Sequence, residues 1–153
     1  MPQQLRGLFR TGIMLGAGMA GTLDEVVFHQ LLQWHNFYVA TTQTWRLVSD
    51  GLFHAFSATL LVLAAWRFWH GRYPIGSAAA RRTLSGGLLL GAGGFNLYDG
   101  TIQHKILRLH PIREGVPNQL PYDLAWNLVA LALVLLGLWL WRGVRAHPEA
   151  AAD

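Results

Sequence analysis

Two strings in this sequence place a carboxylate five residues before a histidine, Asp24 to His29 and Asp99 to His104. Asp50 and His54 stand four apart and share a helix face, as do Glu25 and His29. Asp24 and His29 would lie about 140° apart around an ideal helix, so they should not chelate one ion unless the helix is distorted there. Neutral imidazole with carboxylate suits zinc, copper or iron and does not suit calcium or magnesium. The chain has no Cys, which excludes disulfides and thiolate metal sites. His29 and His104 are therefore the expected direct ligands. Asp50, Asp123, His54, Asp24 and Asp99 would complete the set or orient the rings. Glu25, His35, His110 and Asn127 are outer or alternative partners. Met14 and Met19 are not spaced with these histidines as a thioether copper motif, so copper is favoured only weakly over zinc or iron.

Three other chemistries fit the same residues. Two histidines on adjacent helices at equal depth could ligate haem b axially. Asp–His chains carry protons in membranes, and Tyr98, Tyr122 and the tryptophans could line a quinone cleft. The plainest option is hydrogen-bonded glue in a structural accessory subunit without a cofactor. No nucleophile–base–orienter set for hydrolysis stands out, so enzymatic activity stays open. Ser49, beside Asp50, reads as a helix cap.

The elements that must position these groups are apolar helices. Hydrophobic residues make up 52% of the 153 residues and charged ones only 13%, too few for a water-facing surface. Apolar segments run from about Leu8 to Trp34, Leu47 to Trp69, Leu84 to Leu107 and Tyr122 to Trp141. Each is long enough to cross a hydrocarbon core of roughly 30 Å. The first lacks a small-residue cleavage site and reads as a retained helix. The net charge of +4 comes without a basic stripe, so nucleic acid is not an expected partner. The lipid bilayer is, and a membrane-protein partner or a second copy fits as well. Arg6, Arg10, Arg67, Arg72, Arg81, Arg82, Arg142 and Arg145 fall on one side, and Arg46, Lys105, Arg108 and Arg113 on the other. The positive-inside rule then puts both termini in the cytoplasm.

The chain also repeats itself. Gly12-Ile-Met-Leu-Gly-Ala-Gly aligns with Gly87-Leu-Leu-Leu-Gly-Ala-Gly at an offset of 75. Without a gap, Asp24 meets Asp99, His29 meets His104 and His35 meets His110. At an offset of 73, Asp50 meets Asp123 and His54 meets Asn127. The expected fold is thus an all-α membrane protein, a four-transmembrane-helix bundle of two tandem helical hairpins related by a parallel repeat. It forms one domain over 1–145, with repeat one at about 8–70, repeat two at about 83–142 and a short cytoplasmic tail over 146–153. The glycines give small-residue ridges for close helix contact. Counting rise along the helices gives three layers. His35 and His110 lie outermost, at the water interface. His29, His104, Asp50 and Asp123 lie in the middle, and Asp24, Asp99, His54 and Asn127 deepest. The proline-rich connection from Pro111 to Pro121 reads as an external loop, or a stiff lid over the outer layer.

Asp24 to His35 (DEVVFHQLLQWH), Asp50-Gly-Leu-Phe-His54, Asp99-Gly-Thr-Ile-Gln-His104 and Pro121-Tyr-Asp-Leu-Ala-Trp-Asn127 together resemble the domain-of-unknown-function 2243 family. The resemblance covers nearly the whole chain and implies a small, multi-pass protein of the bacterial cytoplasmic membrane. It implies no activity. The family's Asp-Gly pair stands at Asp99-Gly100, whereas the first repeat has Asp24-Glu25, which makes Glu25 an extra candidate carboxylate. Asn36 follows His35 where the family often carries a second histidine. The expected role is transition-metal binding near the outer face, in metal handling or respiratory-oxidase assembly.

Overall fold

The computed structural model describes residues 2–146, so the tail expected beyond Ala146 lies outside the described residues. Those residues are all-helical, with no strand among them. Four α-helices run over Gln3–Asp24 (α1), Gln43–His70 (α2), Ala78–Tyr98 (α3) and Leu120–Ala146 (α4). A π-helical stretch continues α1 over Glu25–Leu31, and another continues α3 over Asp99–Ile106. Ser77 caps α3 by accepting a hydrogen bond from the Ala80 N–H at 3.1 Å. The cap expected at Ser49 is corrected. α2 begins at Gln43, so Ser49 lies inside it, donating to the Arg46 carbonyl at 2.6 Å and accepting from the Tyr38 N–H at 3.2 Å.

α1 and α3 pack against each other at the centre, with α2 on α1 and α4 on α3. Glycine permits the central approach. A Cβ on Gly16 would lie 1.9 Å from the Leu88 carbonyl oxygen, and one on Gly91 would lie 2.1 Å from that of Ile13. Gly12 and Gly87 face each other in the same way, and Gly93 meets the α4 backbone at Ala130 and Val134. At the end of the bundle away from the histidines, Leu5, Leu8, Ala79, Ala80 and Val144 form a buried apolar cluster. Phe9 stacks on Trp141 beside it, with ring centroids 4.9 Å apart.

Two helices, α2 over 28 residues and α4 over Leu120–Val144, are long and apolar enough to cross a membrane. Only 22% and 11% of their apolar stretches are buried within the chain, so side chains such as Leu52, Val62, Trp66, Leu128, Leu135 and Trp139 face outward. The core helix of a soluble protein would bury that surface. α1 and α3 are about 30 Å long at 1.5 Å per residue, but they carry the glycines and the polar groups. As the central pair they are covered by α2, α4 and each other, so they have less need of a lipid-facing surface.

The connections at the histidine end cross each other. The Val39 N–H donates to the Leu109 carbonyl at 3.1 Å, and the Glu114 N–H donates to the Trp34 carbonyl at 2.7 Å. Arg46 pairs with Glu114 at 2.8 Å across this crossing, with both side chains partly exposed. Solvent screening makes such a pair weak. Glu114→Ala is expected to change unfolding stability in detergent by less than about 1 kcal/mol, read from chemical denaturation.

Candidate metal centre

The site is built where α1 and α3 change their winding. In an α-helix, residues five apart point to different faces. In the π-helical stretches the bonding widens to five residues and such residues stack nearly one above the other. Leu32 N–H donates to Val27 at 2.8 Å and Leu107 N–H to Ile102 at 2.7 Å, closing the two stretches. The distortion required for Asp24 and His29 to meet is therefore present. His29 Nε2 lies 3.4 Å from Asp24 Oδ2, and His104 Nε2 lies 3.0 Å from Asp99 Oδ2.

Beyond each stretch the backbone turns through a left-handed residue, Gln33 (φ 50°) in one place and Arg108 (φ 52°) in the other. Glycine usually occupies such helix-ending positions. The turn sends the next histidine inward. His35 and His110 are 3% and 2% exposed, so they lie inside the cluster and not at a water-facing rim. Their rings stack on each other, with centroids 4.5 Å apart and planes within 6°. His29 lies 4.5 Å from His35, and His104 lies 4.6 Å from His110, both edge-on. Four imidazoles thus form one continuous buried file.

Their orientation is set by crossed anchors. His35 Nδ1 lies 2.7 Å from the Ile112 carbonyl, and His110 Nδ1 lies 2.6 Å from the Phe37 carbonyl. A carbonyl only accepts, so each Nδ1 carries the proton and each Nε2 presents a lone pair. Both Nε2 atoms are buried without a hydrogen-bond partner. His35, His104 and His110 bring ligand atoms within 4.8 Å of one another, as do Asp24, His29 and His35, and also Glu25, His29 and Asp50. Each group has the spacing to hold a metal ion.

The other candidates fall around these groups unevenly. Asp50 accepts from the Asn36 amide at 2.6 Å and the Phe37 N–H at 2.7 Å, with Oδ1 3.2 Å from His29 Nδ1. His54 lines a cleft of about 610 Å³ with Glu25, His29, His35 and Asp50. Asp123 instead pairs with the Lys105 ammonium, and Asn127 donates to the Asp123 backbone carbonyl at 2.9 Å. Neither belongs to one of the three groups. The segment from Pro111 to Pro121 supplies the Ile112 carbonyl. Its Arg113 lies over Trp34 at 5.1 Å and donates to the Tyr122 hydroxyl at 2.9 Å. The roles of Asn36 and Lys105 were not foreseen. Lys105 is the one Lys or Arg among the twelve that sits between Asp99 and Asp123 in the sequence beside a candidate ligand, which was the available signal.

An all-helical chain with two outward-facing apolar helices and a buried file of imidazoles and carboxylates is a helical membrane protein with a polar interior. Residues 11–144 match the family described as Predicted membrane protein (DUF2243), and the chain belongs to that family. No curated protein and no solved structure matches it.

Proposed function

We infer that this protein binds a transition-metal ion in the membrane through His35, His104 and His110, with Asp99 beside them. The observation that carries this reading is the pair of crossed carbonyl anchors, which leave two buried Nε2 lone pairs without hydrogen-bond partners on rings that pack beside His104. Burying unpaired ring nitrogens costs stability, and a metal ion removes that cost. Asp99 would accept from His104 Nε2, 3.0 Å away, and stands 3.6 Å from the His110 Nε2 lone pair as a further ligand, and His29 with Asp24 extends the donor set. Imidazole donors suit copper, zinc and iron, and copper leads by the general affinity order. The haem alternative needs a slot between two imidazoles, whereas these rings pack at 4.5–4.6 Å.

Four spanning helices in two tandem hairpins, forming one domain over 1–145, agree with the reciprocal contacts. His35–Ile112 and His110–Phe37, Val39–Leu109 and Glu114–Trp34, and Gly16–Leu88 and Gly91–Ile13 are each related by the 75-residue offset. The Lys and Arg distribution supports cytoplasmic termini and a centre near the outer face of a bacterial cytoplasmic membrane. Metal handling on that face is the physiological role this arrangement suits.

Elemental analysis of protein purified in detergent tests the reading. About one equivalent or more of copper, zinc or iron is expected in the wild type. His104→Ala should lose it, and His70→Ala, an exposed residue bonded only to the Trp66 carbonyl, should keep it. Equal metal content in both variants would remove His104 from the site.

A further inference from the structure

We propose a second divalent-cation site at Glu25, His29 and Asp50, a loading position through which an ion from water reaches the inner imidazoles. It rests on the metal-binding reading and adds a separate location to it. The three groups bring ligand atoms within 4.8 Å of one another. They face the 610 Å³ cleft that His35 and His54 also line, a cleft that neither His104 nor His110 reaches.

Two observations point to a cation site. The first is a set of buried ligand atoms facing one another. Glu25 is 1% exposed, and its Oε2 lies 2.8 Å from His29 Nδ1, an ion pair when His29 is protonated. A divalent ion can take the place of that proton between the two atoms. His54 Nδ1, in the same cleft, is buried without a hydrogen-bond partner. The second is charge. Among the described residues, no Lys or Arg makes an ion pair with Glu25 or Asp50. Their partners are His29, the Gln30 and Asn36 amides and the Phe37 N–H. Two carboxylates buried together with one shared imidazole, His29, to balance them are costly.

The other half of the chain supplies the contrast. At the 75-residue offset Glu25 becomes Gly100 and Gln30 becomes Lys105, and at 73 His54 becomes Asn127. There the Lys105 ammonium sits on Asp123, the counterpart of Asp50. A Cβ on Gly100 would lie 2.7 Å from Trp126, so that space is filled. One half carries its own cation, the half-exposed Lys105 ammonium. The other has lost it, gained a carboxylate and a histidine, and opened a cleft. Two carboxylate oxygens with one or two imidazoles suit zinc, cobalt, iron(II) or manganese. His29 and His35 stand 4.5 Å apart between this site and the inner group, so an ion has a short path inward.

Full-length protein in detergent, stripped with chelator and titrated with Co²⁺ alone, tests this by bound equivalents and cobalt absorption. The wild type is expected to bind two equivalents. Glu25→Gln, Asp50→Asn and Gln30→Lys should each bind one, and His110→Ala should keep the outer one. Gln30 is exposed, so Gln30→Lys tests the site without disturbing the core. A wild type that binds one equivalent, lost in His110→Ala and kept in Glu25→Gln and Gln30→Lys, overturns the second site and leaves the inner one standing. Two equivalents in Gln30→Lys and Glu25→Gln also overturn it. No uptake by the wild type overturns both.

Discussion

His110→Ala is expected to lower metal affinity by more than about 100-fold, beyond what the loss of an outer hydrogen-bond partner costs. Three things leave together. The Nε2 ligand goes. The stack on His35 at 4.5 Å goes. The anchor to the Phe37 carbonyl goes too, so the first loop loses one of its fixing points on the second. The side chain is buried, and its removal opens a hole between His35 and His104. Free imidazole fits such a hole, so adding it to the buffer should restore part of the affinity. Competition titration against a chromophoric chelator, with helicity checked by circular dichroism, gives the number. Unchanged affinity in a folded variant would remove His110 from the ligands.

Gly16→Val should have the largest effect on stability. Its first side-chain carbon would sit 1.9 Å from the Leu88 carbonyl oxygen and 2.8 Å from the Ala92 nitrogen. Both are backbone atoms of α3, so no rotamer change relieves the clash and the helices must separate. Overpacking of a yielding core costs about 1–3 kcal/mol, and this contact should reach or pass the upper end. The damage should also travel. The π-helical stretch that carries His29 continues directly from α1, so a tilted α1 displaces the ring. Denaturation midpoint and metal content should fall together. Gly94→Ala is the control, because a Cβ there meets nothing within 4 Å. It should be neutral or gain up to about 1 kcal/mol from helix propensity. Equal loss in both variants would mean that the α1–α3 approach is not what the glycines serve.

Much of this arrangement was legible because it follows simple periods. The apolar segments, the glycine ridges and the pairing of Asp24 with Asp99 and His29 with His104 all follow from counting. The contact of Asp24 with His29 did not, because counting at 3.6 residues per turn separates them. Only the wider winding joins them, and no residue in Glu25-Val-Val-Phe-His announces it. The inward turn of His35 and His110 was hidden for a related reason. The left-handed residues that produce it are Gln33 and Arg108, where a glycine would have flagged the turn. The fixing of Asp50 by Asn36 depends on tertiary approach and leaves no trace in spacing, and that of Asp123 by Lys105 leaves only the lysine's place beside His104.

The crossed carbonyls have a consequence for biogenesis. Residues 1–76 made alone would contain His35 but not Ile112, the atom that fixes its proton, and residues 77–153 would contain His110 but not Phe37. Neither fragment could orient its own imidazole. On the metal-binding reading, filling of the His35–His104–His110 group would therefore follow docking of the two halves, so an ion held there would mark completed assembly.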